Sequence, residues 1–114
     1  MLLRDICSLV NGHTVCGEDE LGREVLQACA SDLMSDVLTL KNGGFLLLTG
    51  LANIQAVRTA EMADARCLLL CRGKKASVDM VGLAKEAGMV IIESPHSVFK
   101  CAGLLYEAGL KPLF

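Results

Sequence analysis

His96 is the histidine best placed for chemistry, standing in Glu93-Ser94-Pro95-His96-Ser97 between two serines. With Ser94 or Ser97 and Asp32 it could be drawn into a nucleophile–base arrangement. The spacing does not require one, because the Gly-x-Ser-x-Gly elbow that presents a nucleophilic serine is missing. A capping or surface role is the simpler account of a histidine behind a loop proline, and His13, at a strand start, carries less signal still. Asp32 and Asp36 are four residues apart, so on one helix their carboxylates share a face. Such a pair can hold Mg²⁺, usually with help from a substrate phosphate. An acid in a first helical turn, complementing the dipole, explains Asp32 as well. Neither Gly-x-x-x-x-Gly-Lys-Ser/Thr nor Gly-x-Gly-x-x-Gly occurs, so no tightly held nucleoside triphosphate or dinucleotide is expected. No catalytic residue is assigned, and the chain reads as a non-enzyme.

The cysteines, at positions 7, 16, 29, 67, 71 and 101, contain no Cys-x-x-Cys pair of the kind that zinc ribbons use. Cys67 and Cys71 flank an expected strand, which at about 3.3 Å per residue separates their α-carbons by about 13 Å. That is too far to share one ion. Most of these thiols sit among Leu, Ala and Val, where cysteine behaves as a small hydrophobe. With no export signal, reduced core thiols are expected, with no metal and no cofactor.

Composition bounds the partners. The chain is 53% hydrophobic and 4% aromatic with no Trp, so its core must be aliphatic. Thirteen acids against eleven bases leave a net charge of −2, and the largest basic cluster is only Arg72, Lys74 and Lys75. A nucleic-acid binder needs a basic face, so that class is set aside. The longest apolar runs, Phe45–Leu48 and Cys67–Cys71, fall far short of the roughly 20 residues that cross a bilayer. Met1-Leu2-Leu3-Arg4-Asp5 is no secretory signal, so a cytoplasmic location and no membrane partner are expected. The apolar excess instead fits a subunit interface, and a homodimer is predicted.

The elements that must position these residues follow from periodicity. Residues 2–10 form a helix with Leu2, Ile6 and Leu9 on one face and Leu3 and Val10 beside it, ended by Asn11-Gly12. Short extended pieces at 13–16 and 23–29 bracket the acidic turn Glu18-Asp19-Glu20. Ser31 then caps a helix through residue 41, with Asp32 in its first turn, Leu33, Val37 and Leu40 inward, and Asn42-Gly43-Gly44 as its stop. Three buried strands follow, at 45–48, 66–71 and 89–92, separated by helices at 52–63 and after Ser77. The second of these helices carries Val78, Val81 and Ala84 on one face. A last helix starts at Ser97, with Val98, Ala102 and Leu105 inward. The final helices end alike, at Glu86-Ala87-Gly88-Met89 and Glu107-Ala108-Gly109-Leu110. This alternation predicts one α/β domain over residues 1–114, with a mostly parallel sheet, flanking helices and right-handed crossovers.

Ligands of such sheets sit beyond the carboxyl ends of the strands. Three segments should converge there: Thr49 to Asn53, Cys71 to Lys75 and Glu93 to Ser97. Helix-start N–H groups could hold an anion, with side-chain hydrogen bonds from Thr49 and Asn53 and charge from Arg72 or Lys74. Helix caps at Thr49, Ser77 and Ser97 and a solvated lysine turn are the plainer account.

Three stretches together carry a family likeness: Ala30 to Leu38; Leu48-Thr49-Gly50 with Asn53 to Val57, leading into Ala65 to Gly73; and Gly88 to Ser94 with Ser97-Val98-Phe99 and the closing helix. From about residue 12 onward the layout resembles the DRTGG domain, although the literal Asp-Arg-Thr-Gly-Gly string is absent. It is similar in particular to the small stand-alone members found beside iron-only hydrogenase genes. The resemblance implies a fold like the N-terminal domain of HPr kinase/phosphorylase (MurF/HprK N-domain-like). It also implies kinship with the non-catalytic middle segments of some phosphate acetyltransferases and CBS-domain pyrophosphatases. The expected function is that of a non-catalytic regulatory or assembly homodimer sensing a small anionic or nucleotide-like ligand. The candidate contacts are Ser31, Asp32, Thr49, Gly50, Asn53, Arg72, Ser94 and His96. Two alternatives stay open: a small phosphotransfer-accessory enzyme using His96 or Asp32, and a thiol-based redox-responsive partner in hydrogen metabolism.

Overall fold

Leucine, isoleucine and valine runs of four residues are too short for a buried helix and right for a strand covered on both faces. The computed structural model, which describes residues 1–40 and 43–114, bears this out. Strands β3 (Leu46–Thr49), β4 (Cys67–Leu70) and β5 (Val90–Glu93) are buried at every position. They form the centre of a six-stranded sheet with β1 (His13–Cys16), β2 (Gln27–Ala30) and β6 (Lys111–Pro112), in the order β1-β5-β4-β3-β2-β6. All neighbours are parallel except β1, which lies antiparallel on the outer side of β5.

Helices α1 (Leu3–Leu9), α2 (Met34–Val37), α3 (Ile54–Met62), α4 (Val78–Ala87) and α5 (Val98–Glu107) cover the two faces. From β2 to β5 each right-handed crossover steps the same way along the sheet, which keeps α2, α3 and α4 on one face. Their Met34, Val37, Ala56, Val57, Met80 and Ala84 pack there with Leu47, Leu68 and Ile91. The connection from β5 to β6 runs back across the sheet, so α5 lies on the opposite face with α1. There Leu3, Ile6, Cys101 and Leu105 pack on Leu46, Leu69, Cys71 and Ile92. Alternate strand residues therefore feed two aliphatic cores.

Several boundaries differ from the periodicity. Helix α2 begins at Met34, not at Ser31, and has no side-chain cap; Leu33 is extended and 59% exposed. The inward pair is Met34 and Val37, one residue out of phase with the expected Leu33. The expected stop of this helix at Asn42 lies outside the described residues. In α1 the buried set is Leu3, Ile6 and Val10, with Leu9 partly exposed. In α4 it is Met80 and Ala84, because Val78 is the first helical residue and stands 88% exposed beside the Ser77 cap. In α5 the fully inward residues are Cys101 and Leu105. The strand expected at 23–29 joins the sheet only from Gln27 onward, its first part making an isolated antiparallel bridge between Glu24 and Leu2, and β6 had no signal in its two residues. Ser77 and Ser97 do cap their helices, accepting from Met80 and Lys100 at 3.2 and 3.0 Å.

Candidate functional site

The divergence of α4 and α5 to opposite faces makes the carboxyl ends of β4 and β5 the topological switch point of the sheet, where such folds open a crevice. Here hydrogen bonds close it. Arg72 N donates to His96 O at 2.7 Å and Gly73 N to Ser94 O at 2.9 Å. Beneath them Ser94, 1% exposed, donates to Val10 O at 2.7 Å and accepts from His96 N at 3.1 Å. Glu93, also buried, accepts from Ala76 N at 2.8 Å and meets Lys75 Nζ at 3.4 Å. The two turns expected to converge do converge, tied to one another.

The third turn adjoins them. Cys71 N donates to Thr49 O at 2.9 Å, continuing the β3–β4 ladder. Thr49 ends β3 rather than capping a helix. Its fully buried hydroxyl donates to Asp32 Oδ1 at 2.8 Å and accepts from Leu51 N at 3.2 Å. Gly50 N donates to the same Asp32 oxygen at 2.7 Å. Asp32 is therefore not a first-turn helical acid, nor does it share a helix face with Asp36. It is the clamp between the ends of β2 and β3. The Gly50 N–H and then the Thr49 hydroxyl hold its carboxyl below the ordinary aspartate value, with the Arg72 charge adding to them against partial burial. Ser31 N continues the ladder to Leu48 O, and its hydroxyl accepts from Leu33 N at 3.1 Å, making a turn before the helix instead of capping it.

Asn53 is the cap of α3, accepting from Ala56 N at 2.9 Å. Arg72 sits with φ +66, a left-handed backbone that costs a side-chain-bearing residue about 1–2 kcal/mol. A Cβ placed on Gly50 would lie 3.4 Å from Asp32 Oδ2 and 3.5 Å from Arg72 Cδ. So the Asp32 carboxylate and the Arg72 stem both approach Gly50, with exposed Asn53 at the helix start nearby in the chain. Ser94 is directed inward, and His96 contributes its backbone to the turn. Among the described residues no hydrogen bond joins the His96 imidazole to a serine or an acid. No cluster of three His, Cys, Asp or Glu among them could hold a metal ion, and no helix is long and apolar enough to cross a membrane.

Sequence reasoning missed two features of this chain. One is Val10, whose carbonyl anchors Ser94 from 84 positions away. The other is a groove of about 250 Å³ between β2, β6 and α5, lined in part by Cys29, Leu48, Leu105, Tyr106, Leu110 and Phe114. It is built on β6 and the C-terminal residues, which carry no periodic pattern.

The fold is α/β and DRTGG-like. No family model matches the chain, and no curated protein matches it. Among solved structures it is similar to the CBS and DRTGG domains of the regulatory region of Clostridium perfringens pyrophosphatase, complexed with its activator diadenosine tetraphosphate. The TM-score is 0.78 at 16% identity, over 98% of this chain and 48% of that one. The chain thus spans about half the length of that regulatory structure, and the likeness is one of fold.

Proposed function

We propose that this chain is a non-catalytic regulatory or assembly domain, homodimeric and cytoplasmic, that senses a small anionic or nucleotide-like ligand. The carrying observation is Arg72, held in a strained left-handed backbone against Gly50 and Asp32 at the carboxyl edge. Strain of this kind is kept where a side chain must be aimed, and it clusters at ligand clamps. The guanidinium is the anion-binding group, and the start of α3, at Asn53, supplies a favourable dipole. Thr49, Gly50, Asp32 and Ser31 shape the floor, with Ser94 and His96 supporting the adjoining turn. The regulatory nature of the pyrophosphatase region, and its nucleotide activator, support ligand sensing without catalysis. The exposed Leu26, Tyr106 and Phe114 and the apolar groove near β6 support self-association. The link to iron-only hydrogenases rests on the sequence resemblance alone.

A thermal-shift screen of nucleotides and phosphorylated metabolites tests the ligand, since whatever binds only the folded state raises the melting point. At least one anionic compound should raise it in the wild type and not in Arg72→Ala. A flat response across the panel would sink the sensing role. Sedimentation showing a strict monomer at high concentration would remove the dimer.

A further inference from the structure

Beneath the closed switch point lie two thiols. Cys71 follows β4 and belongs to the core shared with α1 and α5. Ser94 follows β5 beside it: Leu70 is in register with Glu93, and Ser94 N donates to Leu70 O at 2.8 Å. Cys101, in α5, donates to Ser94 Oγ at 3.4 Å, and Cys71, one residue past Leu70 and so level with Ser94, lies in the same buried core as Cys101. Both are free thiols with no exposed surface. The other cysteines have different surroundings. Cys16 donates to Met89 O at 3.4 Å, Cys7 meets the Thr14 hydroxyl at 3.5 Å, Cys29 is partly exposed on β2, and Cys67 lies at the opposite end of β4.

We propose that Cys71 and Cys101 form a reversible disulfide under the switch point when the protein meets a peroxide, tying the β4–α4 turn to α5. The Cys101 thiolate, its proton released to solvent, attacks one peroxide oxygen. The O–O bond breaks, the departing hydroxide takes up a proton as water, and Cys101 becomes a sulfenic acid. The Cys71 sulfur then attacks the Cys101 sulfur, the S–O bond breaks, and hydroxide leaves with the Cys71 proton as a second water. Two thiols lose two electrons and two protons, and one peroxide becomes two waters. The nearby Cys71 holds Cys101 below the ordinary thiol range against the effect of burial, with help from Ser94 and the Lys100 charge. The same proximity, with burial, pushes Cys71 up. This assigns Cys101 as the attacking sulfur and Cys71 as the resolving one. A water-sized oxidant suits a buried pair, reached when the 71–73 and 94–96 turns open locally. The link would fix the residue next to Arg72, and it stands independently of the ligand-sensing reading.

The test treats the full chain with hydrogen peroxide, alkylates the remaining thiols and maps tryptic peptides by mass. The Cys67–Arg72 peptide should be joined through Cys71 to the peptide that begins at Cys101, and dithiothreitol should separate them. Cys101→Ser and Cys71→Ser should each abolish the link, the latter leaving a sulfenic acid that dimedone traps at Cys101. Linkage through Cys67, oxidation past sulfenic acid with no link, or oxidation of Cys29 while this pair stays reduced would overturn the proposal. The wild-type map decides the matter even if a variant fails to fold. Arg72→Ala should keep the link, so loss of the ligand response and loss of the disulfide are read separately.

Discussion

At the ends of β2 and β3 the sheet edge is held by a carboxylate that solvent reaches; at the ends of β4 and β5 it is held by a hydroxyl that solvent does not. Asp32 and Ser94 do comparable work, each accepting from two donors, Asp32 from Thr49 and Gly50 and Ser94 from His96 N and from Cys101 in α5. Asp32 keeps a second oxygen that faces Gly50, as does the Arg72 stem. Ser94 has no capacity left, since its one proton goes to Val10 O. The difference separates a stretch that can change partners from one that is locked unless the local structure opens. On this comparison the first stretch is the one suited to the recognition proposed above, and the second is suited to stability.

The largest effect is expected where the edge is sealed. Ser94→Ala strands the Val10 carbonyl and removes the acceptor of His96 N, costing about 2–3 kcal/mol because water cannot replace a buried partner. Urea denaturation with an unchanged m-value would read it; a loss no larger than that of Asp32→Ala would break the comparison. Asp32→Ala should cost less, about 1–2 kcal/mol, since water can reach the donors it abandons. Asp32→Asn keeps an acceptor and should cost less again.

The charge of Asp32 adds a pH signature. Its carboxyl is depressed first by the Gly50 N–H and then by the Thr49 hydroxyl. The stability it supplies is therefore complete above the ordinary aspartate value near 3.8 and is lost as pH falls through the lower folded value. The difference in stability between wild type and Asp32→Asn should shrink as the solution is taken below about pH 4. A difference constant down to pH 2 would show that the charge is not what the clamp uses.

Arg72→Gly should raise stability by about 1 kcal/mol, because glycine adopts a positive φ without strain. The same change should remove the ligand-induced thermal shift. Gain and loss in one variant would sharpen the division between recognition and stability. The smallest effect is expected for Gly50→Ala, within about 0.5 kcal/mol, since its Cβ would meet only ordinary contacts.

Much of this architecture was legible beforehand where local signals agree with global ones. From Phe45 onward, apolar runs of strand length, serine caps and glycine stops such as Gly88 at φ 69 point to one answer. The first 44 residues were harder because their elements depend on partners far along the chain. Ser31 and Asp32 have the composition of a helix start, yet the donors at Thr49 and Gly50 take the carboxylate and hold the backbone extended until Met34. Arg72, Thr49 and Asn53 do lie at the carboxyl edge, since strand ends can be read from the pattern. The inward direction of Ser94 could not be read, because it depends on Val10.

Alone, the sequence determined the class of fold, the aliphatic character of both cores and which turns lie at the carboxyl edge, because these follow from residue type and short-range periodicity. Tertiary structure decided the strand order and so which two turns flank the switch point. It also decided that this crevice is closed, that Asp32 is a clamp and not a cap, and that Cys71 and Cys101 share one buried core. Each of those outcomes is a pairing between groups separated in the chain, and only the crossover that returns α5 to the other face brings them together.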